Sequence, residues 1–432
     1  MAYLLFGSFI ALILLRVPIS LCIGAATLLT FLMSDFSSAL QILPQQMLEG
    51  VNKASLTAVP FFILAGNLMN VTGVTERIFA FANALVGHMK AGLAQVNILS
   101  SMIFAGISGA AVADCAGLGA IEIKAMKEAG YRGDFSAAVT VASSVIGPLI
   151  PPSIGMVIYA FLAQQSIERM FLAGLVPGII VGLSLMIYVR IAAIRNDFPT
   201  QPRATTQQVL HSGRDGFLAL IAPGIILGSI MFGFVTATEA GVLACVYCLI
   251  LGFWYGELTW AKFWNAITDS SMMTAVIMII IAFSIAMGWL LAIEQAPQAI
   301  AEHVFALTEN KNVFLALLIV FILFVGCVVE GVPAKLILVP TLLPLVDAYG
   351  IDRVHFGVIM SLGLLIGIAT PPMGIGLYIV SEVGRVRLER VTVAILPFLI
   401  PLIGSLILIT YLPAISTFLP DLILGPDAMS GR

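Results

Sequence analysis

The chain has 432 residues, of which 60% are hydrophobic and only 10% are charged. Soluble domains carry about 25% charged residues, so this composition excludes an ordinary soluble protein. The net charge of −3 comes without any basic cluster, so nothing in the sequence indicates nucleic-acid binding. Many apolar runs of about 20 residues follow one another, which predicts an all-α polytopic membrane protein.

The N-terminal apolar stretch covers residues 3–33 and is interrupted at Arg16-Val-Pro18. This pattern predicts either two short crossings or one long kinked crossing. The stretch has no basic n-region and continues into further apolar segments, so we expect no cleavable signal peptide. Residues 35–58 are more polar and fit an amphipathic helix at the membrane interface. Residues 1–58 are therefore predicted to form N-terminal scaffold helices and an interfacial arm.

Residues 59–189 are predicted to form a first structural repeat. Within it, residues 95–123 are apolar on both sides of the motif Ser108-Gly-Ala-Ala-Val-Ala-Asp114. The apolar arm before this motif, residues 95–107, is shorter than the roughly 20 residues that a full crossing needs. We therefore expect a re-entrant helical hairpin whose tip lies near residues 108–110.

A double proline interrupts the next apolar segment, residues 131–162. The motif Gly147-Pro-Leu-Ile-Pro-Pro-Ser153 places Pro151 and Pro152 where a continuous helix would otherwise be expected. Proline removes a backbone donor and clashes with the preceding turn, so a helix must break here. Inside a bilayer, the freed backbone groups are tolerated only where they are buried in protein or line a cavity. The segment is therefore predicted to be a broken transmembrane helix with carbonyl groups that can bind a ligand.

A polar stretch with several arginines, residues 190–215, is predicted to be a cytoplasmic linker with Pro199, Pro202 and Gly213 as loop breakers. Residues 216–432 are predicted to supply scaffold helices and a second repeat. Residues 258–269 are expected to form an amphipathic segment separate from a crossing over residues 272–293. The second repeat comprises a hairpin at residues 313–346, with its tip at Glu330-Gly-Val-Pro333, and a broken helix at residues 354–380.

The two repeats align without a gap. Pro371 and Pro372 follow Pro151 and Pro152 by 220 positions. Basic residues, which collect in cytoplasmic loops, precede the first broken helix but follow the second. The sequence therefore predicts inverted-topology repeats, which in secondary transporters place ion and substrate sites at the broken helices. The same offset pairs Gly106 with Gly326, Gly130 with Gly350, Gly147 with Gly367 and Pro177 with Pro397.

The residues around the two breaks are candidates for an ion or substrate site. Unwound helix ends expose carbonyl groups, and a Thr or Ser hydroxyl can add a further oxygen ligand. The alternative is that the prolines only kink packed helices. The positions concerned are Gly367, Thr370 and Met373 at one break, Gly147, Ile150 and Ser153 at the other, and Gly326 and Gly106 on the hairpins.

Charged residues inside the apolar hairpins are a second candidate feature. A charge at mid-membrane costs roughly 2.5–3.5 kcal/mol on insertion scales, so it usually faces a cavity or a partner. Asp114 and Glu330 are therefore expected beside the translocation path, with capping of the return arm as the alternative for Asp114. Lys335 is a candidate partner for Glu330. We expect Glu122 and Lys124 near the protein surface, with the lysine side chain extended toward water.

The sequence contains no recognisable catalytic constellation. It has no HExxH motif, phosphate-binding loop or Ser/His/Asp cluster, and its four histidines are scattered. Cys245 and Cys248 lie three positions apart in an apolar helix, which favours packing over a metal or disulfide site. We therefore predict that the chain is not an enzyme and holds no organic cofactor.

Five motifs, taken as a set, resemble the large membrane subunit of tripartite ATP-independent periplasmic (TRAP) transporters. They lie in the order expected for that family and cover nearly the whole chain. They are Ser108-Gly-Ala-Ala-Val-Ala-Asp114, Gly147-Pro-Leu-Ile-Pro-Pro-Ser153, Thr236-Ala-Thr-Glu-Ala-Gly241, Leu336-Ile-Leu-Val-Pro-Thr-Leu-Leu-Pro344 and Gly367-Ile-Ala-Thr-Pro-Pro-Met-Gly374.

The resemblance implies an elevator-type symporter that imports an organic acid, such as a C4-dicarboxylate or sialic acid, across the bacterial inner membrane. Na⁺ would be the coupling ion, and the partners would be membrane lipid, a small four-helix membrane subunit and a periplasmic binding protein. The implied Na⁺ positions are Gly326, Gly367, Thr370 and Met373, with the matching Gly106, Gly147, Ile150 and Ser153. The substrate or gating candidates are Ser108, Gly109, Asp114, Glu330, Pro151, Pro152, Pro371 and Pro372.

Two departures from the family pattern bear on substrate or gating. The return arm of the first hairpin has Ala120-Ile-Glu-Ile-Lys-Ala125, where many members are apolar with a proline, and Glu330 stands where Asp is common. A stand-alone Na⁺- or H⁺-coupled dicarboxylate or citrate symporter is an alternative function, and a membrane-embedded enzyme is another. Genes for a small membrane protein and a secreted binding protein beside this one would favour a TRAP transporter.

Overall fold

The computed structural model describes residues 2–15, 17–33, 40–109, 111–195, 198–199 and 201–426. These residues form α-helices joined by short turns, together with one 3₁₀ turn at Ala54–Thr57. Within this part of the chain, seven helices are long and apolar enough to cross a membrane, or eight if one bent pair counts as a span. The prediction of an all-α polytopic membrane protein is therefore confirmed.

The N-terminal part contains two short helices, and not one long kinked helix. Pro18 precedes the second of them, a position that suits its fixed backbone angle and missing N–H group. Further along, α4 and α5 meet at a bend of 69°. The helices are α1 (Ala2–Leu14), α2 (Ile19–Leu32), α3 (Ile42–Val51), α4 (Ala58–Val71) and α5 (Val74–Val86).

The next helices carry the first candidate hairpin and the first double proline. The chain changes helix at Gly109, whose φ of +60° lies in the left-handed region that glycine adopts without strain. A second interruption covers residues 145–153, where the double proline lies. The helices are α6 (Gly92–Ser108), α7 (Ala111–Ala116), α8 (Leu118–Glu128), α9 (Gly133–Ser144), α10 (Ile154–Ala163) and α11 (Ile167–Arg195).

The polar linker is more helical than its composition indicated. Helix α11 continues to Arg195, and α12 (Thr206–Met231) begins at a capping box in which Thr205 and Gln208 bond each other's backbone N–H groups. Gly213, which we expected to break the chain, lies inside α12. A glycine in a helix interior costs only about 1 kcal/mol relative to alanine, so it does not end a well-capped helix. Pro199 and Pro202 do lie between the two helices.

The second half repeats the pattern of hairpin and interrupted helix. The amphipathic segment and the crossing that we expected as separate elements form one helix of 34 residues, because no Gly or Pro separates them. A C-terminal helix that the sequence did not indicate follows the last crossing. The helices are α13 (Ala237–Tyr255), α14 (Trp260–Ile293), α15 (Ala296–Leu307), α16 (Lys311–Val328), α17 (Gly331–Ala348), α18 (Arg353–Ile368), α19 (Ile375–Gly384), α20 (Leu388–Tyr411) and α21 (Ala414–Leu424).

The helices around the two breaks pack in a reciprocal pattern. Helix α6 packs on α9, and α16 packs on α18, so each entry arm contacts the first half of its own interrupted helix. The second halves contact the opposite hairpin: α10 packs on α17, and α19 packs on α7 and α8. Helix α18 is buried from Val354 to Ile368. Both breaks therefore lie between the two hairpins, the first one buried throughout and the second one with Pro372 and Met373 exposed.

Candidate ion and substrate site

The second break, residues 369–374, holds one of the candidate hydroxyl groups. The Oγ1 atom of Thr370 donates to the carbonyl oxygen of Ile366 at 2.7 Å. Because a hydroxyl binds a cation through its oxygen lone pairs, its proton must point to another acceptor, as it does here. Met373 is 54% exposed. Its contribution to an ion site would therefore come from its main-chain carbonyl and not from its side chain. The peptide bond between Pro371 and Pro372 is cis.

Gly326 and Gly367 bring the second hairpin against this break. A Cβ atom added to Gly367 would lie 2.2 Å from the carbonyl carbon and 2.4 Å from the Cα atom of Gly326. A Cβ atom on Gly326 would lie 2.8 Å from the carbonyl oxygen of Leu364. Only glycine at both positions permits this backbone approach. The structure therefore brings together two predicted site residues that are 41 positions apart in the sequence.

At the first break, residues 145–153, the serine has a structural role. Ser153 is fully buried, and its Oγ accepts a hydrogen bond from the backbone N–H of Met156 at 3.2 Å, which caps α10. The same hydroxyl donates to the carbonyl oxygen of Pro148. Ile150 is buried and packs against Gly178. As at the second break, the bond between the two prolines, Pro151 and Pro152, is cis.

The first hairpin presents different groups to its break. A Cβ atom on Gly147 would lie 1.9 Å from the Oδ2 atom of Asp114, so this carboxylate lies directly over the glycine. Asp114 is 2% exposed and is the fourth residue of α7, which does not support its alternative role as a cap. Gly109 at the hairpin tip faces the carbonyl oxygen of Pro152. Gly106 and Ser108 belong to α6, but the surroundings of Gly106 and the side chain of Ser108 lie outside the described part of the structure.

A cavity of about 130 Å³ lies between the two hairpin tips. A single water molecule needs about 10–15 Å³ of such space, so the cavity has room for a small solute. Its walls come from both hairpins, α10, α14 and α18. Most of the lining is apolar, with three polar side chains, Glu330, Lys335 and Ser361, and with glycines that include Gly109 and Gly155.

The buried charges differ from the sequence-based predictions in two places. Glu122 is 1% exposed, so its predicted surface position is wrong. It is buried because α8 packs against both α9 and α19, whereas the side chain of Lys124 on the same helix is 76% exposed, as expected. Lys335 is 3% exposed and forms no ion pair within 4.0 Å among the described residues, so the predicted pair with Glu330 is also wrong.

Two polar residues of the cavity lining, Ser361 and Lys335, were not among the predicted site residues. Ser361 is fully buried, and its Oγ has no hydrogen-bond partner among the residues described. Its apolar neighbours in α18 gave no sign of a cavity. Lys335 offered a usable signal, a lysine at the start of an apolar arm, but we assigned it to an ion pair. Its position in the lining depends on the packing of α17 against α10.

A family model described as "Tripartite ATP-independent periplasmic transporter, DctM component" matches residues 6–415. The sialic acid TRAP transporter large permease protein SiaM of Vibrio cholerae is 42% identical over 398 residues, which are 92% of this chain and 93% of that protein. The C4-dicarboxylate TRAP transporter large permease protein DctM of Pseudomonas aeruginosa is 37% identical, over 92% of each chain. These relatives are transporter subunits and not enzymes.

Among solved structures, the fold is similar to that of the YdaH transporter of Alcanivorax borkumensis. The TM-score is 0.65 with 15% sequence identity, and the match covers 97% of this chain and 99% of that one. This likeness concerns the fold alone.

The family match and the apolar helices make the chain a multi-pass protein of the inner membrane. Large permease subunits of this kind work with a small permease subunit and a periplasmic binding protein, so the stand-alone symporter is not favoured. The chain belongs to the DctM family and is the large permease subunit of a TRAP transporter.

Proposed function

We propose that this large permease subunit couples organic-acid import to Na⁺, and that two inverted repeats carry the substrate across the membrane as an elevator. The observation that carries the Na⁺ assignment is the contact of Gly326 with Gly367 beside Thr370. It places main-chain carbonyls and one hydroxyl, with its proton directed away, at a half-buried turn that is not helical. Neutral oxygens of this kind are the ligands that hard monovalent cations take in transporters.

The residues at this break fit Na⁺ better than a transition metal. Apart from the thioether sulfur of Met373, a residue that is 54% exposed, Gly326, Gly367, Thr370 and Met373 offer only carbonyl and hydroxyl oxygens. Within the described chain, no group of three or more His, Cys, Asp or Glu side chains could hold a metal ion. Na⁺ would bind on the side where its concentration is high and leave on the side where it is low. The chain would supply the oxygens that replace the hydration shell of the ion. The matching positions at the first break, Gly106, Gly147 and Ile150, would form the second site through their main-chain carbonyls, and Ser153 would act mainly as the cap of α10.

Helix positions support the inverted repeat. Five helices of the first half begin 219–221 positions before their counterparts in the second half. The exchange of contacts, in which each hairpin holds the second half of the other interrupted helix, is what a two-fold relation between the repeats would produce. The matching pairs are α6 with α16, α7 with α17, α9 with α18, α10 with α19 and α11 with α20.

The contacts between helices support the elevator proposal, because they separate the helices of the hairpins and breaks from the remaining helices. The hairpins and interrupted helices form one interlocked body, which would move as a unit against the remaining helices. The long helix α14 lies along the second hairpin and also packs on α2, α3 and α4. It would therefore link the moving body to the scaffold. We propose that the scaffold face binds the four-helix small subunit, and that the periplasmic binding protein delivers the organic acid.

Thermal stability of the purified protein tests the Na⁺ site. Na⁺ would replace choline at constant ionic strength, for the natural sequence and for Thr370→Ala. A ligand that binds only the folded state stabilises it by RT ln(1 + [L]/Kd), or about 2.7 kcal/mol at a hundred times Kd. We expect a saturable, Na⁺-specific rise in melting temperature that weakens in Thr370→Ala.

The matched control is Thr30→Ala. Thr30 is buried in α2 and its Oγ1 donates to the carbonyl of Ala26 at 2.8 Å, the same bond that Thr370 makes to Ile366. Thr30→Ala should keep the full response to Na⁺. An unchanged response in Thr370→Ala would remove the site from the second break. If the natural protein showed no response to Na⁺ and its uptake of substrate depended on a proton gradient, protons would be favoured as the coupling ion.

A further inference from the structure

We propose that Lys335 and the first turn of α10 form a carboxylate-binding subsite in the cavity between the hairpins, and that the substrate is a hydroxylated monocarboxylate. This inference rests on the proposed import of an organic acid and names the site and class of that acid. It is carried by the position of a buried lysine, by a helix end that faces it, and by the other polar groups of the cavity.

The Lys335 ammonium is held inside the protein without a counter-charge. Its side chain lines the cavity, the residue is 3% exposed, and no described carboxylate lies within 4.0 Å of it. Burying an unpaired ammonium is costly, and polar or charged groups inside membrane proteins usually face a partner or a pathway. An anion that entered the cavity would supply the missing charge. Lys335 is therefore suited to bind a ligand and poorly suited to stabilise the empty protein.

The N-terminal end of α10 faces the same point. A Cβ atom on Gly155 would lie 2.6 Å from the Nζ atom of Lys335, so the ammonium lies against the second residue of this helix. The first backbone N–H groups of a helix have no partner within it and carry partial positive charge. Ser153 caps only the N–H of Met156. The ammonium and the helix end repel each other unless an anion lies near both, and half-helix ends of this type bind substrate carboxylates in other transporters.

The rest of the lining selects for a single carboxylate. Among the described lining residues, Lys335 is the only cation and Glu330 the only anion. A second carboxylate on the substrate would find no cation and would be repelled by Glu330. Hydroxyl groups would instead donate to Glu330 or to the Oγ of Ser361, which is buried and has no described hydrogen-bond partner. The charge pattern therefore favours a hydroxylated monocarboxylate over a dicarboxylate.

Ligand-induced thermal stabilisation of the full-length protein in saturating Na⁺ tests this inference. The probes are D-gluconate and N-acetylneuraminate as hydroxylated monocarboxylates, succinate as a dicarboxylate, and sorbitol as a neutral polyol. We expect stabilisation by at least one monocarboxylate, little by succinate, and none by sorbitol. Stabilisation by succinate equal to or above that by the monocarboxylates, or by no acid at all, would overturn the proposal.

Substitutions at Lys335 separate binding from folding. Lys335→Met keeps an unbranched side chain that is one atom shorter and removes its charge, so the affinity for the bound acid should fall at least about 30-fold. Lys335→Arg should retain part of the affinity. The control Lys124→Met removes a lysine whose side chain is 76% exposed and should change nothing. Glu330→Gln should increase the response to succinate, because it removes the repelling charge.

The stability of the ligand-free variants gives a readout that a purely structural lysine would not produce. Removing an unpaired buried charge should leave the melting temperature of Lys335→Met equal to or above that of the natural protein. A lower melting temperature with unchanged acid binding would show that Lys335 serves the fold and would overturn the proposal. The Na⁺ response should persist in Lys335→Met. If the natural protein showed no response to Na⁺, Na⁺ coupling would be contradicted. The carboxylate subsite would then be tested separately, by the stabilisation that the organic acids produce.

Discussion

The two breaks occupy equivalent positions in the two halves, yet different groups lie over their glycines. Gly367 faces the bare backbone of Gly326, whereas Gly147 faces the carboxylate of Asp114. The second break is thus packed backbone to backbone and offers neutral oxygens, while the first has a buried acid within reach. Two copies of one motif can therefore differ in charge, in stiffness and in their response to substitution. Three substitutions test this difference.

Gly367→Ala should have the largest effect. The new Cβ would lie 2.2–2.6 Å from backbone atoms of Gly326, and the backbone of two helices packed against each other cannot move aside as easily as the end of a side chain. We expect destabilisation at or above the upper end of the usual range for overpacking, about 3 kcal/mol. Thermal unfolding in detergent, with and without Na⁺, measures it. Gly404→Ala is the control, because no atom lies within 4 Å of its added Cβ. Equal melting temperatures for both variants would contradict the close approach.

Gly147→Ala should be less damaging, although its added Cβ would lie only 1.9 Å from the nearest atom. That atom is the Oδ2 of Asp114, at the end of a side chain that can rotate, so we expect a loss of about 1–2 kcal/mol. Thermal unfolding of Gly147→Ala, Asp114→Ala and the double variant forms a cycle that isolates their interaction. The double variant should be more stable than the sum of the two single losses predicts. Strict additivity would show that the two residues do not interact.

Ser153→Ala should have the smallest effect on stability and should differ in kind from Thr370→Ala. It removes the cap of α10, which is worth about 1 kcal/mol, and this loss should be the same in Na⁺ and in choline if capping is the main role of the serine. Thr370→Ala should instead act mainly on the Na⁺ response. Parallel melting curves in the two salts measure both. A Ser153→Ala loss that appears only in Na⁺ would make the two breaks functionally alike.

Local chemistry explains why much of this molecule was predictable. Each double proline ends a helix through its own ring and missing N–H group, whatever the surroundings, so both breaks were found within a few residues. The membrane class of the protein followed from its long apolar runs. Boundaries that depend on competing local signals were less reliable. Gly213 did not break α12 because the capping box at Thr205 and Gln208 had already established the helix.

Predictions from the sequence were wrong where the burial of a residue depends on helices far away in the chain. Glu122 belongs to a helix with Lys124 and Glu128, a composition typical of a surface helix. It is nevertheless buried because α19, more than 250 positions further along the chain, covers that face of α8. Helix α21 was missed for a related reason. It is tied to α11 by the ion pair of Arg169 with Asp421, at 2.8 Å, and no local pattern announces that contact.

The sequence by itself determined the membrane class, the positions of both helix breaks and the family, because these depend on composition, on proline chemistry and on motif order. The tertiary structure decided what each special residue faces. It paired Gly367 with Gly326, placed Asp114 over Gly147, and brought Lys335 to the N-terminal end of α10, 180 positions away in the chain. These contacts join separate helices, so their geometry depends on how the helices pack and not on the residues next to them in the sequence.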